Sequence, residues 1–449
     1  MAALVIKGFV YLCCLMGIAR PFWGICGYLF LVFLQPEWIW RFEGLNRADF
    51  SYQKIIIGSI VIGVMLNLSE GNGLRRYRVL AWGAIALVFI AWLSSLGSIQ
   101  PSSSALYFDV LWKSLLIMVI LFHLTDTPKK AILLLGAMTA GAFYNSFRMH
   151  EDYISIGWCR WVRDSWGYKG DSNVICLFEM PCIATGVALF FASRNTYAKI
   201  LGGLSAFLLV HQIFILESRG AMLGLVSMGM VLFAMIPKTP KVLFLVFVLS
   251  AAVAFVAGPP VVREFSSIFA NQEERDVSAD SRFKLWSAAT RIGLDNPLLG
   301  VGPYAGQFAI PKYEPLYGGM EAKHPHNIFF EILSGCGFIA LAVYLTLGLL
   351  PVLVALRMRR RYSGLRDPDL QLLTLIPIIG IPGIAITGFF CGSGMIESVY
   401  YFIGISLGGL VSYERELEER LNQDSVPDSS QEDLFESEFE EEVAELTGV

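Results

Sequence analysis

Charge is scarce in this chain. Only 16% of its 449 residues are charged against 55% hydrophobic, and the mean hydropathy of +0.58 lies well outside the range of soluble domains. Water is therefore not its main solvent. The motifs of soluble catalysis are also lacking: there is no Walker loop, no dinucleotide fingerprint behind a strand, no HExxH and no GxSxG. That argues against nucleotide-driven chemistry. The eight cysteines include no CxxC pair, and only Cys159 stands clear of apolar sequence, which points to neither a disulfide framework nor a zinc site. A basic n-region is missing before the first apolar block, which runs through Arg20-Pro21 into the next; it reads as a retained helix rather than a signal peptide.

What is present is apolar sequence in blocks close to the roughly 20 helical residues that cross about 30 Å of hydrocarbon. Blocks such as 242–257 are apolar on every face, unlike the alternating segments of a membrane barrel. Candidate spans fall at 4–19, 22–40, 54–67, 79–96, 108–125, 131–146, 173–193, 200–217, 221–236, 241–257, 327–356, 370–391 and 396–412. This predicts an all-α polytopic membrane protein with about 12–13 transmembrane helices. Basic connections mark the cytoplasmic side: Arg75-Arg76-Tyr77-Arg78, Lys129-Lys130, Arg194 with Lys199, Lys238 with Lys241, and Arg357 to Arg361. Their alternation puts 97–107, 147–172 and 258–326 outside.

The net charge of −4 hides a split, because the sequence from Glu414 onward is heavily acidic and the rest is basic. Four units are expected: an N-terminal transmembrane bundle at 1–257, an extracytoplasmic loop subdomain at 258–326, C-terminal transmembrane helices at 327–412, and an acidic, partly disordered cytoplasmic tail at 413–449. Within the large loop, Ser281 to Gly293 reads as an amphipathic helix, with Asp280 or Ser281 as cap and Asp295-Asn296-Pro297 as the stop. The tail is a candidate contact for a cytoplasmic protein partner.

Basic residues on the outer side run against the positive-inside rule and read either as solvated charges or as an anion-binding surface. Arg219, in Glu217-Ser218-Arg219-Gly220, interrupts two apolar stretches at a membrane edge, where a charge is costly unless paired or wet. It either snorkels or pairs with Glu217, or it binds an anion. Arg282 falls in the first turn of the loop helix, where the macrodipole disfavours a cation; an exposed pair with Asp280 or Asp276 and a phosphate site are the alternatives. Arg291, in the last turn, is explained by the dipole. His324-Pro325-His326-Asn327 stands where the loop enters the next span. There a neutral imidazole can act as general base, or His326 is simply a polar entry residue with Asn327 as N-cap. No carboxylate or cysteine is spaced to complete a metal site with the two histidines.

Three segments together resemble the O-antigen ligase and polymerase superfamily of bacterial membrane glycosyltransferases. They are Ser218-Arg219-Gly220-Ala221, then Arg282-Phe283-Lys284-Leu285-Trp286 running on to Asn296-Pro297-Leu298-Leu299-Gly300-Val301-Gly302-Pro303, then His324-Pro325-His326-Asn327. The resemblance covers about 218 to 345, including Gly335-Cys336-Gly337; Phe330 stands where the family pattern has Leu. Arg20-Pro21-Phe22-Trp23-Gly24 and Leu34-Gln35-Pro36-Glu37 are similar to the exosortase-associated O-glycosylation ligase branch.

The resemblance implies a GT-C-like glycosyltransferase architecture in the inner membrane, with its active site facing the periplasm. It implies a glycan donor linked to undecaprenyl pyrophosphate, a lipid, glycan or protein acceptor, surrounding membrane lipids, no nucleic acid, and neither cofactor nor metal. Carried over, Arg219 and Arg282 would hold the pyrophosphate and His326 would activate the acceptor, with Arg291, His324, Asn327 and Glu217 as further substrate-binding candidates. A repeat-unit polymerase is the near alternative. A transporter or flippase is the rival, for which the proline- and glycine-rich stretch from Ile376 to Gly383 would be a broken helix.

Overall fold

The computed structural model describes residues 2–36, 51–67, 78–157, 171–235, 238–241, 243–244, 247–248, 277–392 and 396–424. Among them the regular structure is helical, without a strand. In chain order the helices are α1 (Ala2–Ala19), α2 (Pro21–Leu34), α3 (Tyr52–Leu66), α4 (Arg78–Leu96), α5 (Pro101–Leu124), α6 (Pro128–Ile156) and α7 (Ser172–Ala192). They continue as α8 (Thr196–Ile215), α9 (Arg219–Met235), α10 (Val277–Asp295), α11 (Gly306–Tyr313), α12 (Ile328–Arg361), α13 (Pro368–Phe389) and α14 (Glu397–Asp424).

Six helices, α4, α5, α7, α8, α12 and α13, are long and apolar enough to cross a membrane, and α1, α2, α3 and α9 are shorter apolar helices. The all-α polytopic architecture read from hydropathy is the one found. The expected span 131–146 lies inside α6 and 396–412, but for its first residue, inside α14; both helices run on into polar sequence, while most of 241–257 lies outside the described residues. Helix starts follow local chemistry. Asp171, Asn195, Asn327 and Asp367 each accept a hydrogen bond from a backbone N–H two residues on.

The apolar stretches of α7 and α13 are 78% buried and form the middle of the bundle, whereas those of α4 and α12 are 28% buried and face outward. α14 threads the interior with Tyr400, Phe402 and Leu410 enclosed. It does not end at the expected boundary of 412. Glu414 is 2% exposed and holds Arg357 at 2.8 Å and Arg361 at 3.3 Å, and the helix runs on to Asp424. The hydroxyl of Tyr413 donates to Asp367, which also pairs with Arg194 at 3.0 Å.

The large loop carries its own small core, in which Leu285, Ala288 and Ile292 of α10 meet Ala309, Ile310 and Tyr317. α10 begins at Val277, so the expected cap at Asp280 or Ser281 is corrected: those residues are already helical. The Ile376 to Gly383 stretch is not broken either; Pro377 and Pro382 sit inside the continuous α13. The real interruption is in α12, where Gly337 has φ 83° and ψ −179°.

Breaking a helix strands buried backbone groups that must find other partners. The segment after α10 supplies the partners: Val301 N–H donates to the Ser334 carbonyl and Gly302 N–H to Gly335, each at 3.0 Å, and Phe338 N–H donates to Pro297 at 2.9 Å. Ser94 of α4 adds its hydroxyl to the carbonyls of Leu299 and Gly335 at 2.6 and 2.9 Å. Glycine is required here. Gly300 has φ 63°, and a Cβ on it would overlap the Gly335 carbonyl group; one on Gly337 would lie 2.6 Å from the Pro297 oxygen.

Gly300→Ala and Gly337→Ala should each cost more than about 2 kcal/mol of stability, from positive φ plus overlap. Gly348→Ala, where the new methyl meets nothing within 4 Å, should stay within about 0.5 kcal/mol of wild type. Thermal unfolding in detergent separates the two outcomes.

Candidate active site

Three helix starts and one helix end meet at one pole of the bundle: the starts of α7, α9 and α12 and the end of α13. At α9, Ser218 accepts from the N–H of Ala221 at 3.4 Å and donates to Asn173 Oδ1 at 2.7 Å, tying this start to that of α7. Arg219 is thus the first residue of a capped helix, half-buried. Next to it, Gly220 packs on Phe390 so closely that a Cβ would lie 2.6 Å from the Phe390 Cβ. Glu217 is exposed, with φ 53°.

Trp286 is the hub. Its indole N–H donates to the Pro325 carbonyl at 2.9 Å, its ring stacks on Phe330 at 5.8 Å, and it meets Phe389 and Phe390 at 4.9 and 6.2 Å. Phe330 in place of Leu therefore has a packing partner of matching shape. Arg282 lies one turn before Trp286 on the same face of α10. With the helix starting at Val277, Arg282 is in the second turn, so the expected conflict with the macrodipole does not arise.

The His324 and His326 rings are 6.1 Å apart, and Tyr304 lies 5.3 Å from His324. His326 has φ 49°, a left-handed conformation held by Trp286 on one side and Gly392 on the other; a Cβ on Gly392 would be 3.0 Å from the His326 Cα. Burial pushes the His326 imidazole below its ordinary pKa, and the charges of His324 and Arg282 push the same way, while Asp171 opposes them. His324 is lowered by burial and by Lys323, again opposed by Asp171. Both shifts favour the neutral ring. Arg282, His324 and Asp171 are therefore each within electrostatic reach of His326.

One expected substrate contact sits elsewhere, and another is taken up as a cap. Arg291 follows Arg282 by about two and a half turns, on the opposite face of α10, where it pairs with Glu314 at 3.7 Å. It is not in the last turn, so the dipole does not explain it. Asn327 is fully buried, its Oδ1 accepting from the N–H groups of Phe329 and Phe330; it positions His326 by capping α12. Sequence reasoning missed Asp171, Asn173, Trp286, Tyr304 and the buried Glu331, one turn into α12. Asp171-Ser172-Asn173 before an apolar run is a cap signature that marks the first two. Among the described residues, no three His, Cys, Asp or Glu side chains are grouped to hold a metal.

A polytopic helical membrane protein with a polar, cation-bearing site at one pole is the class these features define. Residues 204–345, the segment that holds Arg219, Arg282 and His326, match the family model described as O-Antigen ligase. Residues 1–143 match a family of unknown function (DUF5935). No curated protein matches the chain. The chain carries the domain of an O-antigen ligase- or polymerase-like membrane enzyme.

The depressed histidines set the sign of a pH effect. The unfolded chain binds protons on these rings near pH 6.5, and the folded chain binds them only at lower pH. Stability therefore falls as pH drops below 6.5 and levels off once the folded pKa is passed. The unfolding midpoint of His326→Gln should depend less on pH than that of wild type below pH 6.5; parallel curves would contradict the assignment.

Proposed function

We propose that the protein transfers a glycan from undecaprenyl pyrophosphate to an acceptor hydroxyl, at the periplasmic face of the bacterial inner membrane. What carries the reading is one coincidence: the segment that matches the O-antigen ligase model brings two guanidiniums and an imidazole whose burial favours the neutral form to the same pole. In this reading the acceptor oxygen attacks the anomeric carbon as the bond from that carbon to the phosphate oxygen breaks. The electron pair leaves with undecaprenyl pyrophosphate, and the hydroxyl proton passes to His326.

Arg219 and Arg282 meet the charge that grows on the pyrophosphate, with the planar fork that suits phosphate oxygens. Supplying positive charge in this way is the work a divalent metal does elsewhere. Asp171 favours the imidazolium that forms, since its carboxylate already acts on His326 in that direction. His324 and Tyr304 line the approach of the acceptor.

Purified protein should release undecaprenyl pyrophosphate from the lipid-linked glycan in the presence of EDTA. Arg219→Ala, Arg282→Ala and His326→Ala should each turn over at least about 100-fold more slowly. Variants as active as wild type would remove the site, and an inert wild type tested with several donors and acceptors would remove the reaction. Product analysis separates a ligase, which joins glycan to a foreign acceptor, from a polymerase, which lengthens a second lipid-linked glycan.

A further inference from the structure

An apolar groove lies at the opposite pole. α1 and α2 form a hairpin turning at Arg20, and α6 packs along α2. Between the three helices runs a groove of about 730 Å³, walled by Phe9, Leu12 and Met16 of α1, Phe30 of α2 and Ala137 of α6. Leu12 and Met16 are exposed, so the groove opens on the surface that meets hydrocarbon. Arg20 lines its mouth, is itself exposed, and makes no ion pair among the described residues.

Lys130 belongs to the same mouth. It lies seven residues, about two turns, before Ala137 on α6, and its ammonium sits 5.2 Å from the ring centroid of Phe22 while pairing with Asp126 at 2.7 Å. Trp23, 53% exposed and part of the lining, stands next to Arg20 at the level where amphipathic rings favour the headgroup region. α6 enters the bundle at Lys130 and leaves it towards α7, whose start is at the candidate active site, so Arg20 is at the far end from His326. Lys129, Lys130, Arg194 and Arg357 to Arg361 share that end, which the positive-inside rule makes cytoplasmic.

We propose that this groove is a binding site for one anionic phospholipid of the cytoplasmic leaflet. An acyl chain fills the slot between α1, α2 and α6, and the phosphate is held by Arg20 with Lys130 beside it. The charge at the mouth selects an anionic headgroup over a zwitterionic one, because Lys130 is already balanced by Asp126 and Arg20 supplies the uncompensated cation. The slot selects a lipid rather than a soluble anion, because its walls are apolar and open to the bilayer core. The site lies at the other pole from the reacting groups, so its occupant is a bound component of the α1–α2–α6 wedge and not a donor.

The test uses the full chain in detergent, with lipid retention read by native mass spectrometry and by thermal unfolding. Wild type should retain phosphatidylglycerol about fivefold more tightly than phosphatidylcholine, the worth of one cation at a membrane surface, and should gain stability from it. Arg20→Gln should abolish the preference with no change in the lipid-free unfolding midpoint. Ala137→Phe, which fills the slot from its floor, should weaken both lipids. Leu12→Trp, at an exposed position that folding tolerates, should do the same. The proposal is overturned if wild type does not discriminate between the two lipids, if Arg20→Gln still prefers phosphatidylglycerol, or if both filled variants hold lipid as wild type does.

Discussion

A helix interrupted inside a membrane must find partners for the carbonyl and amide groups that the break leaves behind. At Gly337 those partners come from a loop about 35 residues earlier, through the bonds from Val301 and Gly302 to Ser334 and Gly335 and from Phe338 back to Pro297. For buried groups an unmade bond of this kind costs about 1–3 kcal/mol, so loop and helix are obligate companions. The rest of the site is arranged around that join.

The join fixes the end of α10 against α12, and the fixed end aims the rest of α10. Two turns back from it, Trp286 reaches over the entrance of α12 and holds Pro325 by a hydrogen bond, which orients His326. One turn further back stands Arg282. On the other flank, Phe390 is shared by Trp286 and Gly220, so the start of α9 and Arg219 are pressed towards the same ring cluster. At this pole Asp171, Ser218 and Asn327 are engaged as helix caps, and the Trp286 bond to Pro325 orients His326.

Hydropathy made the polytopic helical fold legible because the apolar blocks are long and the basic connections alternate. What it could not show is where long helices change direction. Gly335-Cys336-Gly337 looks like an ordinary stretch of span, and only its distant partners at 297–302 reveal a break. Conversely, the prolines of α13 read as a break and are absorbed by a continuous helix packed among its neighbours. The residues Arg219, Arg282 and His326 stood out as charges and imidazoles at membrane edges. Trp286 and Asp171 did not, since an aromatic on an amphipathic helix and a cap before a span are common for ordinary reasons. Val277-Ser278-Ala279-Asp280 mixes caps with helix formers, so its sequence does not show that α10 starts one turn earlier and carries Arg282 clear of the first-turn dipole.

The far end of α14 shows where the membrane unit ends. Glu414, enclosed beneath Arg357 and Arg361, and Tyr413 on Asp367 make the first turns past the span part of the bundle's wall. A chain cut at residue 412 would leave two guanidiniums converging on an emptied carboxylate position, and the loop that joins α12 to α13 would lose its clasp. A reporter joined beyond Asp424 would keep that clasp, so the acidic sequence can be exchanged as a cassette only from there onward.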